Sequence, residues 1–374
     1  MTGIPSPKWV QARRGFGSVS DRLRSGPCRI AYAGNSVTAQ RDGYVRPLHD
    51  NLIARSGNSH AVIQAGLSGM GSMGCLFTLD RFVLSHAPDL CFVECTVGDS
   101  GISPPLASIE PVLEGIVRKL SAVGSACCIL HGYRSDRTLD DLQPVLDRYE
   151  RVANHYGIPS IQLGQAIREG EASGAWSIQE LFLDGLHTRS KGAQIIANLV
   201  GEALQHILAA EASSDTVLNP RLHADDLESA HLLFPNAAMT LLPDAFRTGR
   251  FRLTLPLVEL DSGNGLRIET APGNIWGLLI VAGPKTGNVL LETDGVTQEY
   301  RTWDKWCDRE LLRTVIFAAP VRRGSAFRLL VTDRGGPDLD GFVSNTPKIL
   351  KVAGLMLSGE GEPGVQIHHS GGRL

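Results

Sequence analysis

Ala31-Tyr32-Ala33-Gly34-Asn35-Ser36-Val37-Thr38 closes a short apolar run on a Gly-Asn-Ser turn. That is the pattern of a strand that stops at the rim of a sheet and leaves a hydroxyl there. Far downstream, Leu183-Asp184-Gly185-Leu186-His187 sets a carboxylate and an imidazole three residues apart, ahead of a helical pattern from Ser190 to Leu208. A neutral serine hydroxyl attacks well only when a base takes its proton, and the base works best when a carboxylate fixes its tautomer. Ser36 is therefore a candidate nucleophile, His187 its base and Asp184 the group that orients the base.

Around these motifs, short apolar runs alternate with longer helical stretches. Strands are predicted at Cys28 to Ala33, Ala61 to Ala65, Asp89 to Cys95, Ala126 to Gly132 and Ser160 to Leu163. Helical patterns fall at Tyr44 to Arg55, Met73 to Ser85, Ile109 to Val123 and Leu139 to Tyr156. Runs such as Cys127-Cys128-Ile129-Leu130 do not alternate with polar residues, as strands buried on both faces require. The fold class is α/β, a doubly wound parallel sheet, in which ligands gather beyond the carboxyl ends of the strands. Ser36, Gly69, Gly98 and Asp99 follow strand ends on this reading, and His131, Tyr133 and Arg134 close the fourth strand. Asn35, Asp99, His131 and Arg134 become candidate substrate contacts.

The quoted blocks resemble the SGNH or GDSL-type esterases and acylhydrolases, a likeness that spans about residues 25 to 210. Gly34-Asn35-Ser36-Val37-Thr38 is similar to their first block and Asp184-Gly185-Leu186-His187 to their last. Ala65-Gly66-Leu67-Ser68-Gly69-Met70 resembles the second, which implies an oxyanion-binding N–H from Gly69, or else Gly66, beside that of Ser36. Leu90 to Asp99 resembles the third, but Gly98, or Asp99 in a register shifted by one, stands where the family has asparagine, and an asparagine at 98 would restore a side-chain donor. The resemblance implies acyl transfer through Ser36, His187 and Asp184, with Ser36, Gly69 and Gly98 at the oxyanion, and no cofactor.

Three prolines interrupt the polar stretch from Ser213 to Thr248, which reads as a linker with an entry strand around His231 to Phe234. From Gly249 the pattern turns to closely spaced strands: Arg250 to Leu260, Gly265 to Thr270, Ile275 to Ala282, Asn288 to Thr293, Thr297 to Trp303, Thr314 to Ala318, Ala326 to Thr332 and Ile349 to Ser358. Turn signals such as Asp294-Gly295 separate them, which predicts a β-sandwich of jelly-roll type. The domains are then residues 1–212, a linker at 213–248, a sandwich at 249–360 and a flexible tail at 361–374 that carries His368 and His369. Trp303 and Trp306 are candidates for stacking on a sugar, whereas Trp276 in its apolar run reads as core.

A net charge of −3 gives no case for nucleic acid or an acidic membrane surface. No run is long enough to span a bilayer, and residues 1–27 lack the apolar stretch of a signal peptide, so a cytoplasmic protein is expected. The seven cysteines lie mostly in apolar runs as free thiols, without the spacing of a metal site. The function expected is a serine esterase that removes acetyl or another small acyl group from a carbohydrate, with homo-oligomerisation open. An O-acyltransferase built on the same site and a weakly catalytic carbohydrate-binding protein are the alternatives.

Overall fold

The computed structural model of the chain describes residues 6–102, 105–210, 218–224, 227–233, 240–242, 247–251, 255–268, 270–304, 306–335 and 347–359. The chain divides into two units, Met1–Glu228 and Ser229–Leu374. The first is built on a six-stranded sheet of β1 (Val10–Gln11), β2 (Arg29–Gly34), β3 (Ala61–Gly66), β4 (Leu90–Glu94), β5 (Ala126–His131) and β6 (Ser160–Gln162). Its order is β1–β6–β5–β4–β2–β3, with β1 antiparallel to β6 and all other neighbours parallel. The winding reverses once, between β2 and β4. Every residue of β4, and all but the first of β2, is buried, which is why these runs carry no polar alternation.

Among the described residues ten α-helices accompany the sheet: α1 (Ser18–Ser25), α2 (Ser36–Ala39), α3 (Val45–Ser56), α4 (Ser72–Phe82), α5 (Thr96–Ile102), α6 (Leu106–Ala122), α7 (Leu139–Tyr156), α8 (Leu163–Ala172), α9 (Ile178–Leu181) and α10 (Ser190–Ala209). α10 packs on α3, α8 and α9, while α4, α5, α6 and α7 pack among themselves, the two helical layers of a doubly wound sheet. A capping box of Thr138 and Asp141 starts α7, and Gly157 at φ +68° ends it. The elements that sequence patterning does not announce are β1, α1, α2, α5, α8 and α9. Most are too short to show a helical period, and α5 forms where the third family-like block ends at Gly98-Asp99.

The boundary at Ala212 needs correction. Residues past it still belong to the first unit: the buried Glu114 on α6 accepts the N–H groups of Leu222 at 2.6 Å and His223 at 3.0 Å, and Leu227 is buried. The rest of the supposed linker supplies strands to the second unit, whose β7 (His231–Leu233), β8 (Thr240–Leu242) and β9 (Arg247–Phe251) precede β10 (Leu255–Asp261). The single strand expected over Arg250 to Leu260 is thus two, β9 and β10, paired antiparallel. β11 (Gly265–Ile268), β12 (Asn274–Ala282), β13 (Val289–Thr293), β14 (Val296–Tyr300), β15 (Leu311–Val321), β16 (Phe327–Val331) and β17 (Ile349–Ser358) complete it. They form two antiparallel sheets, β15–β12–β17–β10–β9 with β7 against β17, and β14–β13–β16–β11–β8. Both sheets feed one apolar core that includes Ile280, Val352 and Leu329, the sandwich that the strand spacing announced. The expected tail, with His368 and His369, lies outside the described residues.

All seven cysteines are free and buried. Burial pushes the thiols of Cys91 and Cys128 up, and that of Cys127 up to about 12. Among the described residues no helix is long and apolar enough to cross a membrane.

α2 lies directly over the end of β3, because a Cβ on Gly66 would overlap the backbone of Thr38 and Ala39. Gly66→Ala should therefore destabilise the first unit by about 1–3 kcal/mol, the usual cost of overpacking. A urea titration checks it, and an unchanged midpoint would contradict this packing.

Candidate active site

The end of β2 is fixed by what glycine omits. A Cβ on Gly34 would overlap the carbonyl of Glu94 on β4 and crowd Thr38 Oγ1, so only glycine lets β2 run this close to β4 while the chain turns back. Asn35 donates its N–H to the Glu94 carbonyl at 3.3 Å, and its Oδ1 accepts the N–H of Val37 at 2.9 Å, which caps α2. Ser36 is consequently the first residue of α2, where a backbone N–H has no intrahelical acceptor. It stands at the point between β2 and β4 where the winding reverses, the place where ligands gather in doubly wound sheets.

The second motif meets it there. His187 Nε2 lies 2.9 Å from Ser36 Oγ, and His187 Nδ1 lies 2.7 Å from Asp184 Oδ2. With its Nδ1–H given to Asp184, the imidazole presents the lone pair of Nε2 to the serine hydroxyl. The other oxygen of Asp184 accepts the N–H groups of His187 at 2.8 Å and Leu186 at 3.1 Å. Burial alone would raise the Asp184 carboxyl, but these N–H groups and the imidazole outweigh it and hold the carboxyl below its ordinary value. Gly185 adopts φ +83°, and its carbonyl accepts the N–H of Ser135 at 3.1 Å, so the β5–α7 loop braces the histidine loop. The side chains of His187 and Asp184 are 27 % and 40 % exposed, which leaves the group open to a substrate from solvent.

Neither a family profile nor a curated protein sequence matches the chain. Two solved structures do match over nearly all of it. One is a two-domain esterase active on acetylated mannans, 18 % identical over 94 % of this chain and 98 % of that one, with a TM-score of 0.71. The other, of the same description and co-crystallized with mannopentaose, is 18 % identical over 96 % of this chain and 98 % of that one, with a TM-score of 0.70. The chain shares the fold of this two-domain esterase.

Within this fold several sequence-predicted residues have other duties. Asp99, 2 % exposed, accepts the N–H of Ser72 at 2.8 Å and the hydroxyl of Tyr149 at 2.6 Å, so it pins α4 and α7 to α5 from a buried position. His131, 1 % exposed, spends its Nε2 on Glu150 at 2.7 Å. Arg134 binds Asp136 and the carbonyl of Val97 at 3.1 Å from a buried position. All three are structural, as is the side chain of Asn35, which caps α2. Gly69 lies on the loop after β3 at φ +74°. Gly98 falls in the first turn of α5, where a Cβ would overlap the carbonyl of Met70. The expectation that an asparagine at 98 restores a donor is therefore corrected, because the Met70 carbonyl fills the space its side chain would leave from.

In the second unit Trp303 is part of the core edge, its Nε1 donating to the Cys307 carbonyl at 3.3 Å while the Arg301 guanidinium covers the ring. Trp306 is 52 % exposed. Trp276 is half-buried and donates to Ser358 Oγ at 2.7 Å. Lys305 lies outside the described residues. Among the described residues no group of three His, Cys, Asp or Glu side chains could hold a metal ion.

Sequence reasoning missed Gln40 and Glu94. Glu94 is the last residue of β4, and its carboxyl lies 3.4 Å from Asn35 Nδ2 and 3.5 Å from Thr38 Oγ1, beneath the turn that carries Ser36. An acid inside the apolar run Leu90-Cys91-Phe92-Val93 was the available signal. Burial raises this carboxyl to about 8, against which its hydrogen bonds pull only in part.

A carboxyl raised in the folded state gives stability that is fully present below its ordinary value of 4.5 and is lost as pH climbs through about 8. Wild-type melting temperature should fall between about pH 5 and pH 9 more steeply than that of Glu94→Gln. Parallel profiles would contradict the neutral carboxyl. Gly98→Asn should lower stability and leave ester hydrolysis no faster, checked by melting and by turnover of an activated acetate ester.

Proposed function

We propose that the protein is a serine esterase that removes acetyl groups from a carbohydrate. The observation that carries this reading is the continuous relay from Ser36 Oγ through His187 to Asp184, with both contacts at hydrogen-bond distance. The choice of substrate draws on the esterase of the same two-domain fold, which acts on acetylated mannans.

In the proposed reaction Ser36 Oγ attacks the acetyl carbonyl as His187 takes its proton, and Asp184 stabilises the imidazolium that forms. The oxyanion develops toward the N–H of Ser36 at the start of α2, with Gly69 of the neighbouring loop as the second donor implied by the family resemblance. His187 returns the proton to the departing sugar oxygen, which leaves an acetyl-serine. Water, activated by the same imidazole, releases acetate and restores Ser36. Without the asparagine amide the oxyanion hole is a two-donor one, and loss of a donor commonly costs about a hundredfold to a thousandfold in kcat.

Acetate release from acetylated manno-oligosaccharide should vanish in Ser36→Ala, fall about a millionfold to a residual rate in His187→Ala, and fall about ten-thousandfold in Asp184→Asn, where the imidazole loses its tautomer. Wild-type turnover by Ser36→Ala would refute the mechanism. Transfer of acetyl to an added sugar faster than to water would replace the hydrolase with the O-acyltransferase. Sugar binding without acetate release would leave the binding-protein reading. We assign Trp306 the stacking role in the second unit: Trp306→Ala should raise KM for the oligosaccharide several-fold and leave turnover of p-nitrophenyl acetate unchanged.

A further inference from the structure

We infer that Gln40 is a positioning residue whose side-chain amide, reaching from the end of α2 to the backbone of Thr188, sets the distance between Ser36 and His187. This rests on the serine-esterase reading above. Gln40 Nε2 donates to the carbonyl of Thr188 at 2.7 Å, while Gln40 Oε1 accepts the Thr188 N–H at 3.0 Å and its hydroxyl at 3.3 Å. One amide thus satisfies both backbone groups of the residue next to His187, much as a neighbouring strand would. It cannot rotate without breaking all three bonds, and Thr188 is 2 % exposed, so water cannot readily replace them.

Gln40 caps the same four-residue helix that Ser36 begins. α2 is itself held to β3, where Gln64 Nε2 donates to the Thr38 carbonyl at 2.7 Å, and to β4 through Asn35 and Glu94. The histidine loop is closed on its own side by the Leu183 N–H on the His187 carbonyl at 2.7 Å and by the bridge between Phe182 and Thr188. Gln40 joins these two rigid pieces beside the reacting atoms. A misplacement of about 1 Å at a reacting centre can cost a hundredfold in rate.

The test uses the full chain with p-nitrophenyl acetate. Gln40→Leu, which keeps bulk and loses all three bonds, should lower kcat about ten- to a hundredfold with KM unchanged. Labelling of Ser36 by a fluorophosphonate should slow by a similar factor. Gln40→Glu keeps the acceptor for the Thr188 N–H and sets an oxygen against the Thr188 carbonyl, so it should be impaired as well. The deciding measurement is a double-mutant cycle. If Gln40 acts through His187, either substitution has no further effect on the residual turnover of His187→Ala. An unchanged kcat in Gln40→Leu, or a loss of equal size in the His187→Ala background, would overturn the inference. If Gln40→Leu does not fold, the same two criteria apply to Gln40→Glu. Ser36→Ala in the same assay separates the failures: activity there refutes the serine mechanism itself, whereas inactivity there with no Gln40 coupling refutes the positioning role alone.

Discussion

Two side chains 151 positions apart in the sequence stand at hydrogen-bond distance, and the first unit is organised around that requirement. Side-chain contacts alone would leave too much play, so the structure meets it with backbone packed on backbone. Gly34 lets β2 close on the carbonyl of Glu94, and Gly66 lets α2 rest on the end of β3. Each glycine gives up chain entropy in the unfolded state in exchange for a contact that no Cβ would permit. The serine is therefore placed by the sheet itself, and the histidine by a loop that folds on its own aspartate and is braced by Ser135.

That scaffold has a cost beneath it. Glu94 is a carboxyl withdrawn from water at the floor of the site, where an apolar residue of similar size would avoid the desolvation. Its bonds to Asn35 and Thr38 show what it does there: they reach residues on either side of Ser36. Thr38 passes the connection to Tyr44 at 2.9 Å, just ahead of α3, so the turn is tied to both the strand below and the helix beyond it. A buried polar network of this kind specifies one arrangement because every alternative leaves a group unpaired.

What could be read without coordinates follows from whether a feature is local. Ser36, Asp184 and His187 were legible because each motif is contiguous and its chemistry is carried by residue type. β2, β4 and β5 were legible because strands buried on both faces must be unbroken apolar runs. Gln40 was not, since its partner is Thr188 and nothing in Thr38-Ala39-Gln40 announces it. Asp99, His131 and Arg134 misled for a related reason: polar residues at the carboxyl edge of a sheet serve the substrate or hold helices in place, and only their partners tell which. α5 escaped notice because it is fixed by packing against α4 and α7 more than by any period of its own. The β9–β10 pair was hidden because two short strands in tandem look like one long one.

The seven buried thiols described above give the protein a built-in reporter of its own opening. Thiolate is the form that reacts with alkylating reagents, and burial shields all seven sulfurs and, at Cys91 and Cys128, also suppresses ionisation. They lie just before β2, on α4, on and just after β4 and on β5 in the first unit and, at Cys307, in the core of the second. The rate at which each one is alkylated in the native protein therefore measures how often its own part of the molecule breathes. With no label placed by design, the protein already carries, in its chemistry, a residue-resolved map of which unit loosens first.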